Sequence, residues 1–99
     1  MLRHIVSWKL AAEDGDTKNR DIATISVALA ELVPLIPEIL SLSVSANSTS
    51  VLGNWDVILV ADYADEAALM RYIDHPEHQR VVAIVGPLVA ARAVVDFEI

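Results

Sequence analysis

Histidine and tyrosine side chains are the candidates for acid–base chemistry in this sequence, because it has no cysteine and no serine within a nucleophile elbow. His78 is followed by valine at three, four and seven residues, a spacing that places all four side chains on one face of a helix. The apolar character of that face predicts that the His78 ring points inward.

His4 alternates with its neighbours as Val6 and Trp8 do, which predicts that all three lie on the inner face of a first strand. Tyr72, on the preceding helix, is expected at the rim of the same pocket. Burial disfavours a charged imidazole, so we expect both rings to be neutral and able to accept a proton. A tyrosine hydroxyl could then hold a developing oxyanion. The predicted catalytic set is His78 as general base, Tyr72 as polarising donor and His4 in support.

A structural role is the alternative for each histidine, since a histidine on an apolar face is more often a hydrogen-bonded core residue than a catalyst. His75 directly precedes Pro76, and we interpret it as a cap at a helix junction rather than a site residue. Acidic residues flank His75 and His78, but helix capping and the helix dipole explain them. We therefore predict no metal site and no cofactor.

Alternating apolar and polar residues predict the strands that must position these side chains, over 2–10, 40–46, 55–63 and 91–99. A helix is expected between an N-cap at Asp16 or Thr17 and the stop at Pro34. Asp65 is expected to cap a second helix, which Pro76 interrupts before a further helical segment runs to about residue 85.

The order strand, helix, strand, strand, helix, strand predicts one α+β domain over residues 1–99, a ferredoxin-like βαββαβ fold with a four-stranded antiparallel sheet. Both helices then cover one face of the sheet and leave the other face open. The residues expected under the helices are Val6, Val57, Leu59 and Val95. The residues expected on the open face are Ile5, Ile58, Val60 and Val94.

The open face predicts a homodimer, because 55% of the residues are hydrophobic and four aliphatic side chains have no cover within the chain. Each would gain about 1.5 to 3 kcal/mol on burial. Two such faces packed together form a dimeric α/β barrel. An ordinary sheet with a few exposed aliphatic residues is the alternative.

Charge and hydropathy exclude several other classes of function. The net charge of −7 would repel nucleic acid, and the few lysines and arginines do not cluster into a basic patch. No apolar run approaches the roughly 20 residues of a membrane span, and the N-terminus does not resemble a signal peptide. The absence of cysteine suits a reducing compartment, so we expect a cytoplasmic protein without membrane or nucleic-acid partners.

Several segments together resemble one family. They are HIVSWKL from His4, IPEI from Ile36, WDVILV from Trp55, YIDHPEH from Tyr72 and VVDF from Val94. In this order they resemble the stress-responsive dimeric alpha-beta barrel domain, or Dabb, over nearly the whole chain, and HPEH is the most specific part. The resemblance implies a ferredoxin-like subunit, a homodimer through the open sheet faces and a cavity between sheet and helices.

The family is functionally mixed and includes polyketide cyclases that perform an intramolecular aldol condensation. In those cyclases a tyrosine and a histidine do the acid–base work, and Tyr72 and His78 stand at the matching positions. His4 matches a first-strand histidine that lines the pocket. The cyclases also carry a histidine on the third strand, where this chain has Val57, and a tyrosine in the first helix that is missing near Val27. The resemblance therefore implies a pocket and an acid–base pair, but not a polyketide substrate.

Two functional hypotheses remain from the sequence. The first is a stress-responsive Dabb protein of unassigned substrate that binds a small apolar or carbonyl-containing ligand, with histidines that only satisfy the core. The second is a small cyclase, lyase or isomerase that uses His78, Tyr72 and His4 for proton transfer.

Overall fold

The computed structural model describes residues 1–99 and has one four-stranded antiparallel sheet with three α-helices, which confirms the predicted ferredoxin-like α+β fold. The strands follow the spatial order β2-β3-β1-β4. None of the helices is both long enough and apolar enough to span a bilayer. The elements are β1 (Leu2–Leu10), α1 (Gly15–Ala30), β2 (Ser41–Ala46), β3 (Val57–Tyr63), α2 (Glu66–Asp74), α3 (Pro76–Val85), a short 3₁₀ turn (Gly86–Leu88) and β4 (Val89–Glu98).

Helix α1 begins and ends earlier than the sequence pattern predicts. Asp14, rather than Asp16 or Thr17, is the N-cap, and its carboxylate accepts a hydrogen bond from the backbone amide of Thr17 at 2.9 Å. Regular helix ends at Ala30, before Pro34, and the chain continues in turns. Leu32, within these turns, is still buried in the core. A proline marks where a helix cannot continue, and the helix is free to end sooner.

The break between α2 and α3 is where the sequence predicts it. Asp65 caps α2 by accepting from the backbone amide of Ala68 at 2.8 Å, and Pro76 occupies the first turn of α3. His75 lies between the two helices, and its Nδ1 accepts a hydrogen bond from the backbone amide of Glu77 at 3.1 Å. The interpretation of His75 as a junction cap is therefore confirmed.

The core lies between the helices and the inner face of the sheet. Antiparallel pairing sets Val6 opposite Leu59 and Trp8 opposite Val57, and all four side chains are buried. His4 belongs to the same face because its side chain alternates with that of Ile5. The predicted inner face of β1 and β3 is confirmed.

The predicted faces of β4 are wrong. Val94 lies opposite Val6 and packs against the core, whereas Val95 lies opposite Ile5 and is 62% exposed. Alternation divides a strand into two sets but does not say which set faces the core. The more apolar set, which includes Val95 and Phe97, lies on the open face. Val94 therefore does not belong to the predicted pairing surface.

The open face of the sheet carries the other three predicted aliphatic residues. Ile5 lies opposite Val60, while Ile58 lies opposite Ser7 and is exposed. Asp62 also lies on this face, where its carboxylate accepts two hydrogen bonds from the Arg3 guanidinium, at 2.8 and 3.0 Å. The placement of Ile5, Ile58 and Val60 away from the helices is thus confirmed.

The His75 cap generates a stability prediction. His75→Ala removes the acceptor for the Glu77 amide and is expected to lower the free energy of unfolding by about 1 kcal/mol. His75→Asn keeps a side-chain acceptor and should recover most of that loss. Urea unfolding of the three proteins measures the difference, and equal losses in the two variants would contradict the capping role.

Candidate functional site

A cavity of about 330 Å³ lies between the sheet and the helices, and ten of its fifteen lining residues are hydrophobic. His4, Tyr72 and His78 all line it, so the structure brings the three predicted residues together. Their depths differ from the prediction. Tyr72 is 1% exposed rather than at the rim, and His78 is half-buried rather than fully enclosed.

Four aromatic rings form a continuous row, and three of them, those of His4, Tyr72 and His78, line the cavity. The Tyr72 and His78 ring centroids are 4.4 Å apart, and the Tyr63 ring lies 5.0 Å from that of Tyr72. The His4 ring follows at 6.2 Å from Tyr63, in an edge-to-face arrangement. Tyr63 is not among the site residues predicted from the sequence. It shares the inner face of β3 with Leu59, but both faces of that strand are largely apolar, so the pattern alone does not distinguish them.

The orientation of His78 follows from the helix break. Its Nδ1 lies 3.0 Å from the carbonyl oxygen of Ile73, and because a carbonyl only accepts, Nδ1 carries the hydrogen. The lone pair of the neutral ring is then on Nε2. Burial lowers the pKa of His78 below its ordinary value of 6.5; the bond to Ile73 opposes the shift, and the positive charge of Arg92 adds to it. The ring is therefore a neutral base near pH 7.

His4 is held by a carboxylate that the sequence analysis did not include. The ring is 4% exposed, and its Nδ1 lies 2.5 Å from Oδ1 of Asp96 on the neighbouring strand β4. Burial alone therefore does not describe the environment of His4. The predicted faces of β4 would put Asp96 beside Val94 on the open face, and only the strand register shows that it lies opposite His4.

The two tyrosines keep their protons at neutral pH. Burial raises the pKa of Tyr72, and the nearby charge of Arg92 offsets part of that effect. Burial also raises the pKa of Tyr63, whose hydroxyl is enclosed without a hydrogen-bond partner in the chain. Each phenol is therefore a hydrogen-bond donor rather than an anion.

The arrangement combines a neutral base, a phenol donor and an apolar enclosure. Such a set can remove a proton from a carbon acid while the donor contacts the carbonyl oxygen. His75 is separate from it, because its ring caps α3 and does not line the cavity. No three His, Cys, Asp or Glu side chains are grouped so that they could hold a metal ion.

The lowered pKa of His78 gives a pH prediction. As pH falls below about 6.5, the unfolded chain binds a proton at this position before the folded chain does. Protonation of His78 should thus destabilise the fold, so stability is fully present above about pH 6.5 and declines as pH falls through the lower folded-state pKa. Urea unfolding across this range should show a steeper decline for the wild type than for His78→Gln. Parallel curves would contradict the shift, and NMR titration of the His78 ring provides an independent check.

Comparison with known proteins agrees with the motifs. The stress responsive A/B barrel domain family, Dabb, matches residues 2–99. No curated protein is a significant match. A dimeric protein of unknown function with a ferredoxin-like fold from Bacteroides fragilis superposes with a TM-score of 0.89 at 25% identity, covering 99% of this chain and 95% of that one.

Two further structures are similar to the chain. A dimeric ferredoxin-like protein of unknown function from Thermobifida fusca has a TM-score of 0.80 at 31% identity, with 99% and 90% of the two chains covered. A Dabb family protein from Mesorhizobium loti has a TM-score of 0.77 at 20% identity, with 98% and 94% covered. The family match spans almost every residue, and the chain belongs to the stress responsive A/B barrel domain family.

Proposed function

We propose that the cavity binds a small carbonyl compound and that His78 and Tyr72 catalyse proton transfer on it. The observation that carries the proposal is the pairing of the two rings at 4.4 Å within an apolar cavity. The hydrogen bond to Ile73 fixes which nitrogen of His78 carries the lone pair. An acid–base pair of this kind suits a cyclase, lyase or isomerase.

The chemistry begins with removal of a proton from the carbon next to the carbonyl group. Nε2 of His78 takes that proton, and the electron pair of the C–H bond moves to the carbonyl oxygen as an enolate. The Tyr72 hydroxyl donates a hydrogen bond to that oxygen. In a β,γ-unsaturated carbonyl compound, protonated His78 returns the proton to the γ-carbon of the dienolate, which gives isomerisation. Attack of the enolate on a second carbonyl group instead forms a carbon–carbon bond, and the resulting alkoxide takes the proton from His78.

His4 has a supporting role in this proposal. Its contact with Asp96 fixes Nδ1 as the side that faces the carboxylate, so that Nε2 has no hydrogen-bond partner within the chain. Asp96 is therefore a positioning residue for His4. His4 and His78 lie at opposite ends of the aromatic row. The His4 ring can therefore hold a polar group of the ligand at the end away from His78.

The catalytic proposal predicts exchange of carbon-bound protons. Small ketones and aldehydes incubated with the protein in deuterated water should lose their α-protons faster than in buffer, as followed by NMR. His78→Ala should slow this exchange at least about a hundredfold, and Tyr72→Phe should slow it while keeping the ring packing. His75→Asn, which lies outside the cavity and keeps an acceptor for the Glu77 amide, is the matched histidine control and should exchange at the wild-type rate.

Stability measurements separate catalysis from a structural role. A catalytic His78 predicts that His78→Ala loses exchange and keeps nearly the wild-type melting temperature. Unchanged exchange with a large loss of stability would contradict the proposal. That outcome would favour a binding protein whose His78 has only a structural role in the core, the other function considered from the sequence.

We propose further that two copies pair through the open sheet face. Ile5, Ile58 and Val60 lie there, and Val95 and Phe97 extend the same apolar surface onto β4. Helices cover only the other face, so these side chains gain burial from a partner alone. The similar structures from Bacteroides fragilis and Thermobifida fusca are both described as dimeric, which supports this arrangement.

The pairing surface is tested by a charge at Val60. Val60→Asp would put a carboxylate into an apolar contact, where it loses its hydration, and should yield a monomer with a lowered melting temperature. Val27 is 58% exposed on helix α1, outside the sheet, so Val27→Asp is the matched valine-to-aspartate control and should remain dimeric. Light scattering that shows a monomeric wild type, or equal melting temperatures of the two variants, would contradict this surface.

A further inference from the structure

Arg92 is the one cation of this acidic chain without an intramolecular partner. The chain has seven lysines and arginines and fourteen aspartates and glutamates. Five of the seven form ion pairs with carboxylates, and the Lys9 ammonium lies 5.3 Å from the centre of the Trp55 ring. The five pairs are Arg3 with Asp62, Lys18 with Asp56, Arg20 with Asp21, Arg71 with Glu38, and Arg80 with Glu77.

The unpaired charge of Arg92 lies beside the candidate site. Arg92 lies opposite Trp8 in the sheet, so its side chain is on the helix side, and it lines the cavity that also contains His78 and Tyr72. The nearest acidic residue on the same face of β4 is Asp96, which contacts His4 instead. Arg92 is an exposed residue, and the guanidinium therefore belongs to the mouth of a largely apolar cavity.

We propose that Arg92 binds a carboxylate of the ligand, so that the protein accepts carbonyl compounds that carry a carboxylate group. This inference deepens the proposed function, on which it rests for the carbonyl group. A guanidinium presents two parallel N–H donors that match the two oxygens of a carboxylate. The apolar walls then receive the rest of the molecule, and the carbonyl group meets Tyr72 and His78.

One cation favours a carboxylate over a phosphate. Arg92 supplies a single positive charge, which balances a carboxylate but only about half of a phosphate dianion. His78 cannot supply the second charge, because burial holds its pKa low and the ring is neutral near pH 7. The cavity volume of about 330 Å³ also lies at the small end of the range for small-molecule sites.

Two probes of the same shape test the inference. Hydrocinnamate carries a carboxylate, and hydrocinnamamide replaces it with a neutral amide. Titration calorimetry near neutral pH should show the wild type binding the carboxylate at least about tenfold more tightly than the amide. Arg92→Gln should abolish this preference and leave amide binding nearly unchanged, and Arg92→Lys should keep part of it.

Arg80→Gln is the matched control, since Arg80 lies outside the cavity lining and pairs with Glu77. It should keep the wild-type preference for the carboxylate. Equal affinity of the wild type for both probes, no binding of either probe at millimolar concentration, or an unchanged preference in Arg92→Gln would each overturn the inference. Tighter binding of phenethylphosphonate than of hydrocinnamate would overturn the assignment to a carboxylate.

These binding outcomes are separate from the test of catalysis. If Arg92 selects the carboxylate but His78→Ala does not change proton exchange, the catalytic proposal fails and the binding inference stands. If exchange depends on His78 but neutral and carboxylate ketones react equally in the wild type and in Arg92→Gln, the reverse holds.

Discussion

The hydrogen bond from the His78 ring to the Ile73 carbonyl is the contact on which the candidate site depends. In an uninterrupted helix that carbonyl would accept from the amide of Glu77, four residues later. Pro76 interrupts the helix, and His75 takes the Glu77 amide with its own ring. The Ile73 carbonyl can then accept from the His78 ring and also from the side-chain amide of Gln79. A helix break thus fixes the nitrogen of His78 that can act as a base. His75 and His78 have different tasks three residues apart, because one faces the junction and the other faces the cavity.

The register of β4 completes the site from the other side. Its three charged residues, Arg92, Asp96 and Glu98, lie on the helix face, while Val95 and Phe97 lie on the open face. A strand that only covered a core would favour the opposite arrangement. Here Asp96 is retained on the inner side by its contact with His4, and Arg92 by its place at the cavity mouth. The strand brings charge to the cavity and apolar surface to the face without helices.

The fold and two of the site histidines could be predicted from the sequence because each depends on a local period. Valine spacing placed His78 on an inner helical face, and strand alternation placed His4 beside Val6. The faces of β4 could not be predicted in this way. Alternation is symmetric, so greater apolarity pointed to Val95 for the core, while pairing with β1 put Val94 there. Asp96 was lost with the same error, because its partner is 92 residues away in sequence.

Strand β1 links the cavity to the open face through a single backbone. His4 extends from it into the cavity, and the next residue, Ile5, extends onto the open face. β1 is hydrogen-bonded on both sides, to β3 and β4, so it is one of the two interior strands of the sheet. Burial of Ile5 against a partner would therefore restrain the backbone that carries His4. The two proposals meet here, since a paired sheet would hold the His4 ring and its Asp96 contact more firmly than a single subunit can.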